Sequence, residues 1–155
     1  MSTPAIDAVS AAGVAHRVIR HGRAGSVAEA AAQRGVEIRD IIKTLVVRRA
    51  DDQFVFVLVP GDRVISWPKL RGLLGVNRLS MPDAAKAKDV TGYERGTITP
   101  FGSTRRWPVI ADERIRGRQI SLGAGEPGVA IEVAADDAVP VLGGSFADVT
   151  DPSPE

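Results

Sequence analysis

Two hydrophobic periods alternate along this chain, and each switch between them marks an element. Ile6 to Ala12 spaces its apolar residues as one face of a short helix closed near Gly13, and Val14–Ile19 then alternates as a half-buried strand does. Ser26 stands as an N-cap before the alanine-rich Val27–Arg34, with Glu29 three residues on as a capping box and Gly35 as the stop. Ile38–Ile42 leads into a strand, Thr44-Leu45-Val46-Val47-Arg48; Asp51-Asp52 turns the chain and Gln53–Pro60 returns, so a hairpin is predicted. After a turn at Gly61-Asp62, Ser66 caps a helix with Pro68 in its first turn, running through Leu70, Leu73 and Leu74 to Gly75. Met81-Pro82-Asp83 opens a further helix, Ala84 to Val90.

A loop rich in Gly, Thr and Pro follows, from Thr91 to Gly102. Val109–Ala111, Gln119–Leu122 and Val129–Val133 read as strands, the last two flanking a second glycine-rich loop, Gly123–Gly128. Asp137–Leu142 fits a helix or a strand, and Asp148–Glu155 reads as a polar tail that frays. Strands and helices interleave without strict βαβ spacing, which predicts a mixed α/β fold with peripheral helices. One domain over residues 1–148 and a tail over 149–155 are expected.

Composition narrows the chemistry. The 155 residues are 44% apolar and 25% charged, as in an ordinary globular chain able to bury a core. Without cysteine there is no disulfide framework, thiolate nucleophile or cysteine-based metal site. Two histidines, His16 and His21, do not make a metal centre by themselves, and neither a metal nor a cofactor is expected. No charged-then-apolar leader opens the chain, and its longest apolar run, Phe54–Pro60, falls far short of the roughly 20 residues that span a bilayer. A cytoplasmic protein without membrane contact is the expectation. The net charge of +1 is unevenly spread: all 20 Lys and Arg lie in residues 1–118 against 12 acids, whereas residues 119–155 hold seven acids and no base. Basic clusters such as Arg48/Arg49, Arg105/Arg106 and Arg114/Arg116/Arg118 would steer a phosphate backbone if they share a face; scattered solubilising charge is the alternative.

Lys43 sits between Ile41-Ile42 and Thr44-Leu45-Val46-Val47, neighbours that favour burial. A lysine so placed snorkels, pairs, or faces a cavity that supplies an anionic partner. Amides of the two glycine-rich loops have room to approach a ligand, although such loops also serve as plain turns. Gly123-x-Gly125-x-x-Gly128 matches a dinucleotide pattern as text, but it joins two predicted strands and lacks the helix whose N-terminus would hold a pyrophosphate. No G-x-S-x-G elbow is present. His16 reads as packing, and His21, beside Gly22, as a loop residue able to line a pocket.

Taken together, Lys43-Thr44-Leu45-Val46-Val47, Gly61-Asp62-Arg63, Gly92-Tyr93-x-x-Gly96-x-Ile98-Thr99-Pro100-Phe101-Gly102 and Gly123-Ala124-Gly125-Glu126-Pro127-Gly128-x-x-Ile131-Glu132 resemble the YbaK/prolyl-tRNA-synthetase-associated domain family, in order and spacing, across residues 5–148. The resemblance implies a barrel-like mixed sheet with surrounding helices. It implies a trans-editing hydrolase that deacylates mischarged aminoacyl-tRNA, with an aminoacyl-tRNA synthetase as a further candidate partner. Lys43 takes the position of the family's functional lysine, Thr44 that of a pocket threonine, and Gly96 that of a pocket glycine. Thr97 and Thr99 are hydroxyl candidates, and Gly123, Ala124 and Gly125 would complete a backbone cradle.

The family's cysteinyl-tRNA deacylases resemble Gly-Gly-Ile-Ser-Pro where this chain has Gly96-Thr97-Ile98-Thr99-Pro100, and carry a serine and an aspartate where it has Gly123 and Ala130. Loss of those polar groups, with Thr97 crowding the cavity, points to a small amino acid such as alanine or serine rather than cysteine. A non-catalytic module that binds tRNA ends, a nucleotide or a synthetase would carry the same motifs. They specify no oligomeric state.

Overall fold

The computed structural model describes residues 2–22 and 25–154. In chain order the elements are α1 (Pro4–Ala11), β1 (His16–Arg20), α2 (Val27–Arg34), β2 (Ile42–Ala50), β3 (Gln53–Pro60), β4 (Arg63–Ile65) and α3 (Trp67–Leu74). There follow α4 (Ala84–Thr91), β5 (Val109–Asp112), β6 (Gln119–Gly123), β7 (Val129–Ala134), α5 (Ala135–Val141), β8 (Ser145–Ala147) and β9 (Thr150–Pro152). Side chains at the helix starts satisfy amides that the helices leave open: Thr3 accepts from Ile6 N, Ser26 from Glu29 N, Ser66 from Lys69 N and Asp83 from Lys86 N. Glu29 completes the cap of α2 by accepting from Gly25 N rather than from Ser26. The ambiguous segment near Asp137 is helical and tolerates Pro140 close to its end. Among the described residues no helix is long and apolar enough to cross a membrane.

Strand β3 is the centre of the molecule. It pairs antiparallel with β2 and parallel with β5, which pairs parallel with β8. Phe54, Phe56 and Leu58 face one hydrophobic cluster, while Val55, Val57 and Val59 face another. Burial on both faces explains the unbroken apolar run, since alternation is lost when neither side meets water. The first cluster lies against an antiparallel sheet ordered β1-β7-β6, which contributes Ile120, Leu122, Ile131 and Val133, and is completed by Ala5 and Val9 of α1 and Ala138 and Val139 of α5. The second lies under α3 through Leu70.

Two expectations are corrected. The sheets do not close into a barrel: among the described residues β2 and β6 belong to different sheets, joined by an isolated parallel bridge from Ile41, just before β2, to Ser121. The fold is a mixed α/β arrangement of open sheets. Nor does the chain end fray from Asp148 onward. Val149 and Thr150 are fully buried, and β9 pairs antiparallel with β4, Ile65 opposite Thr150. Strand β9 is fixed by polar contacts that a composition reading does not reveal. Arg63 donates from Nε to Thr150 Oγ1 at 2.7 Å, and Lys69 donates to Asp148 and to the Thr150 carbonyl, each at 3.1 Å.

Candidate functional site

β2 is an edge strand, bonded to β3 on one side only, and its free edge is stapled at two places. Ile41 bridges Ser121 near one end; Arg48 near the other exchanges backbone hydrogen bonds with Ser80, at 2.7 and 3.2 Å. Between the two bridges lies a cleft of about 720 Å³. Ile41 to Val46 form one wall, with Ala30 and Arg34 of α2, Met81 to Ala84 at the start of α4, Arg95-Gly96 and Ile98 of the first glycine-rich loop, and Gly123 at the end of β6 around the rest. Because the cleft meets the edge of β2 rather than one face, successive residues of both orientations line it.

Lys43 is half-buried on this wall. Its Nζ donates to the Arg63 carbonyl at 2.6 Å, in the turn that follows β3. Burial lowers the pKa of this ammonium, and the nearby Asp62 charge acts in the opposite direction. Of the three readings of a lysine between apolar neighbours, the structure combines two: it is paired, through a backbone oxygen, and it stands at a cavity. The adjacent Thr44 Oγ1 is buried without a protein hydrogen-bond partner.

The sequence-derived candidates divide into two groups. Lys43, Thr44, Gly96 and Gly123 line the cleft; Thr97, Thr99, Ala124 and Gly125 stand behind it. Thr97, which the sequence reading had crowding the cavity, is buried and donates its hydroxyl to the Glu94 carbonyl at 2.7 Å, closing its own loop. Thr99 is fully buried and Thr99 Oγ1 has no partner. The Gly125 amide is engaged by Thr97 O at 3.0 Å, and the Ala124 carbonyl accepts from Thr3 Oγ1 at 2.6 Å. Ala130 is buried on β7 opposite Gly123, and of that pair only Gly123 lines the cleft.

Two glycines of the cleft have a geometric role. Gly96 has φ +89° with nothing near a would-be Cβ, a backbone state that other residues rarely adopt, and it faces open space. At Gly123 a Cβ would meet the carbonyls of Ile98 and Thr97 at 3.2 and 3.3 Å, so its absence lets the two glycine-rich loops lie together. The same loop is braced by Tyr93, whose hydroxyl donates to Phe101 O at 2.7 Å and whose pKa is pushed up to about 12 by burial.

Sequence reasoning did not single out Arg34 and Arg95, two further cations on the cleft. For Arg34 a signal exists: it lies three and four residues after Ala31 and Ala30, the buried pair of α2, and therefore on the inward face of that helix. Arg95 offers no such signal, being a loop residue.

The family model described as aminoacyl-tRNA editing domain matches residues 21–139, which carry most of this cleft. The chain belongs to that family. An Enterococcus faecalis protein named "Putative Cys-tRNA(Pro)/Cys-tRNA(Cys) deacylase EbsC" is 31% identical to this editing domain over 131 residues, which are 84% of this chain and 78% of that protein. A proline–tRNA ligase of Caldicellulosiruptor saccharolyticus is 39% identical over 81 residues, 52% of this chain but only 14% of the ligase. Among solved structures, a hypothetical protein superposes with a TM-score of 0.88 at 25% identity, covering 96% of this chain and all of the other. The fold is also shared with a "putative trans-editing enzyme for prolyl tRNA synthetase", TM-score 0.87, 23% identity, 97% and 99% covered.

Proposed function

We propose that this protein is a trans-editing hydrolase that removes a wrongly attached small amino acid from the 3′ end of a tRNA. The observation that carries the reading is Lys43: at the family's lysine position, it sits on the wall of an open cleft with its ammonium tethered by one hydrogen bond to Arg63 O. An ammonium has three donors, so the tether leaves two to meet a substrate oxygen. Arg34 and Arg95 add positive charge to the same cleft, fitting a polyanionic RNA end. A protein of this kind acts where tRNA is charged, in the cytoplasm, with aminoacyl-tRNA as its partner and a synthetase as a candidate source of it.

The chemistry needs no protein nucleophile. An aminoacyl ester is an activated acyl group, so holding it beside a water and stabilising the oxyanion accounts for the acceleration. Lys43 is the residue for the developing negative charge or the terminal ribose oxygens. The exposed Gly96 amide, which meets no protein acceptor among the described residues, is a second donor. Thr44 Oγ1, unpartnered in the protein, is the hydroxyl for the substrate's amine or the attacking water. Thr97, Thr99, Ala124 and Gly125 support this wall from behind.

The side chain removed follows from the polar groups that line the cleft: the Ser26 hydroxyl and the Asp83 carboxylate already cap α2 and α4, whereas the Thr44 hydroxyl has no protein partner. A polar-tipped side chain loses about 1–3 kcal/mol for each hydrogen bond it leaves unmade; alanine makes no such demand and a serine hydroxyl can pair with the free Thr44 Oγ1, so alanine or serine is preferred over cysteine. The test is the deacylation rate on alanyl-, seryl- and cysteinyl-tRNA under one set of conditions. Faster loss of the alanyl or seryl ester is expected. Preference for the cysteinyl ester would overturn the specificity argument, and saturable binding with no ester loss would make the protein a binding module instead.

A further inference from the structure

We propose that Arg34 grips a phosphodiester of the RNA 3′ end in the cleft, with His21 and Ser121 as the residues that position it. The inference rests on the reading of the cleft as a tRNA-end site and adds a named anion contact to it.

Arg34 differs from most arginines whose contacts define the surface of this molecule. Arg17, Arg39, Arg48, Arg114 and Arg118 each pair with a carboxylate. Among the described residues no carboxylate pairs with Arg34, although it is half-buried. It is held by neutral acceptors instead: Nε donates to His21 Nε2 at 3.3 Å, and Nη1 to Ser121 Oγ at 3.0 Å. Burial without a counter-charge lowers its pKa. A desolvated cation with no anion is costly unless a ligand brings the missing charge.

The two acceptors are themselves fixed. Ser121 is fully buried on β6, at the residue that bridges to Ile41. The His21 ring places Nδ1 2.7 Å from Gly22 O, and a carbonyl only accepts, so the proton sits on Nδ1 and the Nε2 lone pair faces Arg34. The His21 amide donates to Gly128 O at 2.7 Å, which ties this ring to the second glycine-rich loop. With Nε and Nη1 engaged, the Nη2 edge has no protein acceptor among the described residues, leaving donors for an incoming anion. An aminoacyl ester carries no free carboxylate and a cationic amine, so the anion that accompanies it into the cleft is the phosphodiester of the nucleotide chain. Planar, forked donors suit that group.

Affinity for a labelled, unacylated RNA oligonucleotide with a tRNA 3′-terminal sequence is measured for wild type, Arg34→Gln, Arg34→Lys and Ser121→Ala. In parallel, wild type and variants are assayed on aminoacyl-tRNA and on an aminoacyl ester of adenosine, which has no phosphate. Arg34→Gln is expected to weaken oligonucleotide binding about tenfold and to lower the slope of log affinity against log salt by about one. It should raise KM for aminoacyl-tRNA about tenfold with kcat within about twofold, and lower turnover of the phosphate-free adenosine ester by a clearly smaller factor. Arg34→Lys, which keeps the charge but loses the fork, should fall between, and it carries the comparison if the glutamine variant does not fold. Ser121→Ala should weaken binding in the same direction, by less. Unchanged oligonucleotide affinity and salt slope in both folded Arg34 variants would overturn the proposal. So would an equal loss on both esters, which would place Arg34 at the aminoacyl group or in the scaffold. If wild type hydrolyses neither ester the deacylase reading fails, and the oligonucleotide measurement still decides the phosphate grip.

Discussion

Lys43 and Thr44 are neighbours on an edge strand, yet they do different work because β geometry turns them to opposite faces. Lys43 shares the side of its register partner Val59, and reaches the Arg63 carbonyl; Thr44 lies opposite Leu58, on the side of the larger cluster. Replacing Lys43 by Ala removes the ammonium while leaving the ladder intact, since the backbone pairing needs no side chain. Deacylation should fall at least about tenfold, equivalent to roughly 1.4 kcal/mol of transition-state stabilisation, with circular dichroism unchanged. Full activity in a folded Lys43→Ala protein would remove the lysine from the mechanism. Lys43 was legible in the sequence because a charge between β-branched neighbours is conspicuous. Arg34 was not, because a helix ending in arginine looks like any solvated helix until its alanine face is known to be buried. The hydroxyls of Thr97 and Thr99 misled for a related reason: a loop that reads as open in sequence turns both into the protein.

Helix starts and the β2–β3 hairpin were readable because their signals are local, a capping side chain or a turn between two apolar runs. The late strands were not. β8 and β9 are three residues each and owe their order to partners far away in the chain, β5 for one and β4 for the other. The barrel expectation failed at the same level, since closure depends on whether β2 and β6 stay in register beyond Ile41, and no local pattern reports it. β9 also reaches the cleft indirectly: Thr150 holds the Arg63 side chain, and the Arg63 carbonyl holds Lys43. Deleting residues 148–155 removes buried Val149 and Thr150 together with the Lys69 and Arg114 contacts of Asp148. Stability should drop by about 2–4 kcal/mol in a denaturant titration. The single change Thr150→Val should lower activity more than stability. If the truncated protein unfolds at the wild-type midpoint, β9 is an ornament and the tail reading returns.

Seen as a whole, the molecule undoes the charge division written along its sequence. Acids of residues 119–155 fold back onto bases of residues 1–118: Glu132 onto Arg17, Asp148 onto Lys69 and Arg114, and Asp151 onto Lys69. What remains for a partner is the cleft's own charge and exposed arginines such as Arg105, stacked 4.4 Å over the Trp107 ring, and Arg106 beside it. Affinity for tRNA should therefore fall linearly on a log–log plot as salt rises, and the double change Arg105→Glu/Arg106→Glu should weaken it further. Affinity indifferent to salt would rule out electrostatic docking.

An edge strand as apolar as β2 is ordinarily a hazard, because its unpaired amides and carbonyls invite the edge of another chain. Here the Ile41–Ser121 and Arg48–Ser80 bridges leave open only a short window between them. A second β-strand arriving from solution would have to displace both to gain a ladder of useful length. The cleft opening is thus a short length of free edge, which disfavours edge-to-edge pairing with a copy of the chain while leaving that edge uncovered.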